Sequence, residues 1–199
     1  GLLDEPQGAH LAGIWRVEKA KPALITLAKA PGTDEALRLG SLMGLAAFGD
    51  RKALSDIAGS NQPARQRRQA IQLLVPLDPA AAAELAVRLL TYPAAEPETE
   101  AVVGAFLLHQ DGPSALTSAL EGQSIPPTVA TLGLRQATTA GKRGEPLASL
   151  FSASASPAKM PQSLTKKELT QLVKDVAASG DPARGEAIYR RPALACMAC

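Results

Sequence analysis

An all-α architecture of helix pairs stacked on one another is expected from this chain, on three grounds. Ala and Leu together supply 66 of the 199 residues, while aromatic residues make up 3%. Strands draw on Val, Ile, Thr and aromatic side chains, so this composition argues against a β-sandwich or barrel and for short helices packed through small side chains. Apolar residues recur at spacings of three and four almost throughout, interrupted at short intervals by Pro, Gly and Asp. The interruptions recur too. Asp50, Asp78 and Asp111 lie 28 and 33 residues apart, and a further turn near Gly141 follows 30 residues on. A helix–turn–helix period of about 30 residues marks an α-solenoid, in which one pair cannot bury its apolar face alone and neighbours share a continuous core. About four to five pairs fit the chain.

Residues 9–29 read as a partial leading copy, with Leu11, Ile14 and Trp15 before Pro22, then Leu24, Ile25 and Leu27. Residues 34–48 place Ala36, Leu39, Leu42, Met43, Ala46 and Ala47 on one stripe, and Gly49-Asp50 ends that helix. A shorter helix follows with Ala53, Leu54, Ile57 and Ala58, and the next, over 64–76, carries Ala70, Ile71, Leu74 and Val75. Asp78-Pro79 reads as an N-cap followed by Pro at the first helical position. Residues 79–90 are expected to bury Ala82, Leu85, Ala86 and Leu89. The unit recurs over 97–121, with Val102, Ala105 and Phe106 before Asp111-Gly112 and Leu116, Ala119 and Leu120 after it. A weaker copy covers 127–151, with Val129, Leu132, Leu147, Leu150 and Phe151 around Gly141. Trp15 and the three Phe residues fall on apolar stripes and are expected in the core.

These repeats resemble HEAT repeats. The resemblance covers about residues 9–151. It rests on the first-helix pattern Arg67-Arg68-Gln69-Ala70-Ile71-Gln72-Leu73-Leu74 and on the turn and second-helix pattern Gly49-Asp50-Arg51-Lys52-Ala53-Leu54. The Trp, Gly and Tyr positions of tetratricopeptide repeats do not recur.

After Phe151 the texture changes. Residues 152–162 are small, polar and Pro-containing, which reads as a linker between a helical-repeat domain over 1–151 and a C-terminal segment over 163–199. In that segment Thr165 and Glu168 have capping-box spacing, Leu169, Leu172, Val173 and Val176 form an apolar stripe, and Ser179-Gly180 stops the helix. Asp181-Pro182 starts another.

Cys196 and Cys199 are the only cysteines, spaced C-x-x-C. Four chemistries use this spacing. A zinc site needs a second pair of ligands, and His10 and His109 lie far away in the repeats. A thioredoxin-like redox pair is expected beside a βαβ pattern, which is not visible. The cysteines could be incidental buried thiols. The fourth reading is c-type haem attachment, C-x-x-C-H.

The run Gly180-Asp181-Pro182-Ala183-Arg184-Gly185-Glu186-Ala187-Ile188-Tyr189, followed by Cys196-Met197-Ala198-Cys199, resembles the N-terminal helix and haem loop of class I cytochromes c. That family opens on an N-capped helix carrying a Gly and, four residues on, an aromatic, positions matched by Gly185 and Tyr189. The resemblance implies haem c as cofactor, with Cys196 and Cys199 as thioether anchors, Gly185 and Tyr189 packing near the haem, and the proximal His directly after Cys199. No axial metal ligand is identified within the chain, and Met197, between the two cysteines, cannot fold back onto the iron. Helical repeats followed by such a segment look like large secreted multidomain proteins described as membrane-bound dehydrogenases. This implies a periplasmic or secreted location, a redox partner domain or protein, and a chain that is a piece of a longer protein whose dehydrogenase site lies elsewhere. The rival expectation is a HEAT interaction module that takes a protein partner on its concave face, with no redox role.

The remaining features exclude more than they suggest. Apolar residues at 46% with 20% charge rule out global disorder. No apolar run reaches the ~18 residues of a transmembrane helix. A net charge of +2 does not predict a nucleic-acid binder. Arg65, Arg67 and Arg68 form the densest basic cluster and read as a solvated helix face. His109 reads as a helix C-terminal cap, and Asp50, Asp78 and Asp111 as turn and cap residues rather than an acid/base set.

Overall fold

In the computed structural model, residues 1–91, 96–155 and 165–190 are described, and among them there are twelve α-helices and no strand. The chain divides into two units, Gly1–Ala158 and Lys159–Cys199. The first holds α1 (Pro6–Ile14), α2 (Lys21–Lys29), α3 (Glu35–Phe48), α4 (Arg51–Ala58), α5 (Ala64–Leu74), α6 (Pro79–Leu90), α7 (Glu96–Leu108), α8 (Gly112–Leu120), α9 (Pro127–Thr139) and α10 (Glu145–Ser154). The second holds α11 (Lys166–Ser179) and α12 (Pro182–Tyr189). The unit boundary falls inside the expected 152–162 linker. However, α10 continues to Ser154, three residues into that segment, and its remainder from 156 lies outside the described residues.

In the first unit the odd-numbered helices pack in sequence, α1 on α3, α3 on α5, α5 on α7 and α7 on α9. The even-numbered helices do the same from α2 to α10. One cluster of buried side chains runs from Ala9 to Phe151 and includes Leu42, Leu54, Ile71, Leu90, Phe106, Leu116 and Leu147. Each helix is only 8–14 residues long. Helices this short are marginal by themselves in water, so packing on their neighbours supplies most of their stability.

Local signals set the helix ends. Asp34, Asp50 and Asp78 cap α3, α4 and α6, accepting from Ala36 N–H at 2.9 Å, Ala53 N–H at 3.0 Å and Ala81 N–H at 3.1 Å. Asp111 precedes α8 without a side-chain cap bond, so its expected capping role is not seen. Gly49 closes α3 at φ 74°, a left-handed geometry that suits glycine, and its N–H donates to the Ala46 carbonyl at 2.8 Å.

Two of the capping aspartates also pair with basic residues of neighbouring helices. Lys21 Nζ lies 3.0 Å from Asp50 and 5.7 Å from the Phe48 ring centre, and Arg51 lies 3.9 Å from Asp78. Burial works against the charge on Asp50. The Ala53 N–H and the Lys21 and Lys52 ammoniums outweigh it, holding the carboxyl below its ordinary range.

Two expectations are corrected. The buried line of α3 is Gly40, Ser41, Leu42, Gly44 and Leu45, while Ala36 and Leu39 are exposed. The line is rotated because α3 meets α1 backbone to backbone. A Cβ on Gly40 would strike the Pro6 backbone, one on Gly44 would stand 2.5 Å from the Ala9 carbonyl oxygen, and one on Gly13 would strike Gly44. Trp15 is not core but 63% exposed, with Ile14 exposed beside it. The buried face of α1 is its small one, Gly8, Ala9, Ala12 and Gly13. Of the Phe residues, Phe106 and Phe151 are fully buried and Phe48 half-buried.

Side chains of α5 also bond to backbone carbonyls of other helices. Arg67 Nε donates to the Ala58 carbonyl at the end of α4 at 3.0 Å, and the Gln66 amide donates to the Ala28 carbonyl of α2. Gln72 Nε2 donates to the Ala101 carbonyl of α7 at 3.1 Å. Arg65 pairs with Glu35, and Arg68 donates to Gln72 Oε1 at 2.6 Å. Arg65 is thus exposed, as expected of a solvated face, while Arg67 and Arg68 are half-buried and bonded to neighbouring groups.

Two outcomes follow. Gly40→Ala costs about 1–3 kcal/mol in urea unfolding because the backbone must move apart. Gly104→Ala in α7, where an added Cβ meets nothing within 4 Å, instead stabilises by about 0.5–1 kcal/mol. The second concerns Asp50. Its carboxyl is lowered in the folded state, so its contribution is full above the ordinary carboxylate range and is lost as pH falls through the lowered value. Asp50→Ala removes a cap worth about 1–2 kcal/mol at neutral pH, and the difference from the parent chain narrows in acid when unfolding midpoints are compared across pH.

Candidate functional site

The second unit carries the residues singled out for haem attachment. Its first helix starts with a full capping box. Thr165 Oγ1 accepts from the Glu168 N–H at 3.3 Å, and Glu168 Oε2 accepts from the Thr165 N–H at 2.8 Å and its hydroxyl at 2.7 Å. The hydroxyl and then the backbone bond hold the Glu168 carboxyl below its ordinary range. The apolar stripe Leu169, Leu172, Val173 and Val176 forms on α11 and is exposed along its length, and α11 buries no side chain.

Gly180 ends α11, and Asp181 starts α12 by accepting from the Arg184 N–H at 3.0 Å. Gly185 and Tyr189 are one turn apart and share a face of α12. A Cβ at Gly185 would meet nothing within 4 Å, and Tyr189 is 52% exposed. This face is open to solvent, as are the other described residues of α12. Cys196 and Cys199, the anchors that the resemblance implies, lie outside the described residues. Among the described residues no three His, Cys, Asp or Glu side chains cluster as a metal site, and no helix is long and apolar enough to cross a membrane.

The first unit holds a feature that the sequence reading missed. An open groove of about 890 Å³ runs across the C-terminal halves of α5, α7 and α9. Ala101, Gly104, Ala105 and Leu108 of α7 lie along it, with Val75 on one side and Arg143 on the other. Leu108 is 84% exposed. Behind them Val102, Val103 and Phe106 fill the core, so α7 is apolar on two faces. That double-sided pattern was the available signal, since a helix covered on one side only needs one apolar stripe. His109, expected as a C-terminal cap, follows α7 directly. Its backbone N–H donates to the Phe106 carbonyl at 3.2 Å, while its Nδ1 is buried without a hydrogen-bond partner among the described residues. It lines the groove. His10 lies on α1, half-buried and away from this groove.

Asp181→Ala removes the only side-chain cap described for α12 and costs that helix about 1 kcal/mol. The amide resonance of Arg184 and the helical circular dichroism report the loss, and the groove in the first unit is unaffected. Comparison of the chain with family models, with curated proteins and with solved structures finds no match in any of the three.

Proposed function

We propose that this chain is a HEAT-like α-solenoid scaffold leading into the opening segment of a class I c-type cytochrome domain, within a periplasmic or secreted electron-transfer protein. One observation carries the proposal: an N-capped helix presenting Gly185 and Tyr189 on one face, followed by Cys196-x-x-Cys199. The Asp181 cap and the placement of Gly185 and Tyr189 one turn apart on the same helix support it, since the family's first helix has that cap and that spacing. Cys196 and Cys199 would hold the porphyrin by thioethers, and a His directly after Cys199 would be the proximal ligand. Bound haem supplies one-electron transfer, tuned by its axial ligands and its burial. The alternating packing of ten short helices supports the solenoid assignment and gives the repeats the part of a spacer or docking surface.

A second reading has its own observation. The groove across α5, α7 and α9 favours a repeat module that binds a protein partner, with the two cysteines incidental. The two readings separate cleanly. On the first, the codon after Cys199 encodes His. The chain extended through that residue and the rest of its domain, expressed with a cytochrome c maturation system, then shows a covalent pyridine haemochrome band. Cys196→Ala and Cys199→Ala each reduce that band, and the double variant abolishes it. Any other residue after Cys199, or no covalent haem, leaves the interaction module.

A further inference from the structure

We propose that the groove across α5, α7 and α9 docks an amphipathic helix of a partner protein that presents an aliphatic stripe flanked by a carboxylate. This stands independently of the haem reading, since every residue it uses belongs to the repeats.

Shape comes first. Ala101, Gly104, Ala105 and Leu108 are spaced i, i+3, i+4 and i+7, so they form one outward line on α7. Three of the four are small, which lets a second helix axis come close. Leu108 stands at the end of the line as an apolar post, 84% exposed. An aliphatic side chain that covers it and the Ala and Gly surface removes apolar area from water.

Backbone chemistry then selects a helix over an extended peptide. An extended occupant needs donors and acceptors along the groove to satisfy its main chain. Gln72, on the α5 side, already donates to the Ala101 carbonyl and accepts from Arg68, and Thr139 donates to the Arg135 carbonyl. Gln136 is then the one lining amide left, too few partners for an extended main chain. A helix satisfies its own backbone and brings only side chains. The groove is open to solvent along its length, which suits an occupant with an outer polar face.

Charge selects the flanking group. None of the thirteen lining residues is Asp or Glu. Arg143 lines one end and makes no ion pair among the described residues. His109, which also lines the groove, has a buried ring nitrogen without a hydrogen-bond partner among the described residues. A carboxylate beside the aliphatic stripe pairs with Arg143, whereas a lysine there is repelled.

The test uses the full chain and a fluorescein-labelled synthetic peptide of about 16 residues, long enough for four helical turns. The peptide carries leucines at i, i+3, i+4 and i+7, and a glutamate one turn beyond. Fluorescence polarisation is expected to show saturable binding, weakened about tenfold when that glutamate is replaced by lysine. Arg143→Glu is expected to reverse the preference between the two peptides. Gly104→Phe is expected to abolish binding by filling the floor of the groove. Leu108→Glu changes a surface position, keeps the thermal unfolding midpoint of the parent, and is expected to lose binding as well, so the outcome does not depend on Gly104→Phe folding.

The proposal is overturned by four results: no saturation up to about 1 mM peptide, equal affinity for the glutamate and lysine peptides, undiminished binding by Leu108→Glu, or equal binding of a peptide whose helix is broken by proline. Concentration-dependent self-association of the free chain that Leu108→Glu abolishes would also overturn it, by giving the groove to a second copy.

Discussion

The first unit depends on close approach between short helices whose facing side chains are small. Ala9, Ala12, Gly13, Gly40 and Gly44 bring α1 and α3 together until backbone meets backbone. The same economy runs through the stack, where Ala53, Ala58, Ala70, Ala82, Ala83 and Ala86 lie beside each buried Leu or Ile. Small residues give little transfer free energy each. They compensate by density, since a helix axis that moves closer places many more atom pairs at contact distance. The aromatic share of 3% is therefore sufficient. Phe106 and Phe151 fill the two sites in the later repeats where a small residue would leave a void.

What could be read from the sequence was what is decided locally. Asp34, Asp50 and Asp78 cap because an Asx side chain reaches an N–H two or three residues on, and Gly49 turns because it alone is at ease in the left-handed region. The helix count and the turn period follow from these signals. Three things were not legible. The buried line of α3 is not marked by its larger apolar residues, because Gly40 and Gly44, which carry no side chain to signal a face, lie in its tightest contact. Trp15 was assigned to the core by its type, yet the chain leaves α1 at that residue through a left-handed Arg16 and turns the indole outward. Arg67 reads as part of a solvated basic face, and Gln66 carries no signal at all, because their acceptors, Ala58 and Ala28, are 9 and 38 residues away in sequence.

The candidate sites divide along the same line. Gly185, Tyr189 and the two cysteines were legible as a spaced motif. The described structure adds a capped helix with an open face at Gly185. The groove was not legible, since it needs three helices 30 or so residues apart to be set side by side. Its floor differs from the core only in direction. Val102 and Val103 face in, while Ala101 and Gly104 border solvent. One residue of phase on α7 separates structural burial from an available surface.

The bonds from Gln66 to Ala28, from Arg67 to Ala58 and from Gln72 to Ala101 bear on something other than net stability. An alanine-rich face is smooth, and a helix lying on it can roll or slide with little change in contact energy. A directional bond to a fixed carbonyl penalises that roll, because donor and acceptor fall out of line after a small rotation. These two amides and one guanidinium, all on α5, thus act as detents that hold that helix in phase with α2, α4 and α7. Torque applied to α5 is passed through them to those three helices, so this part of the stack resists twisting even where its packing is bland.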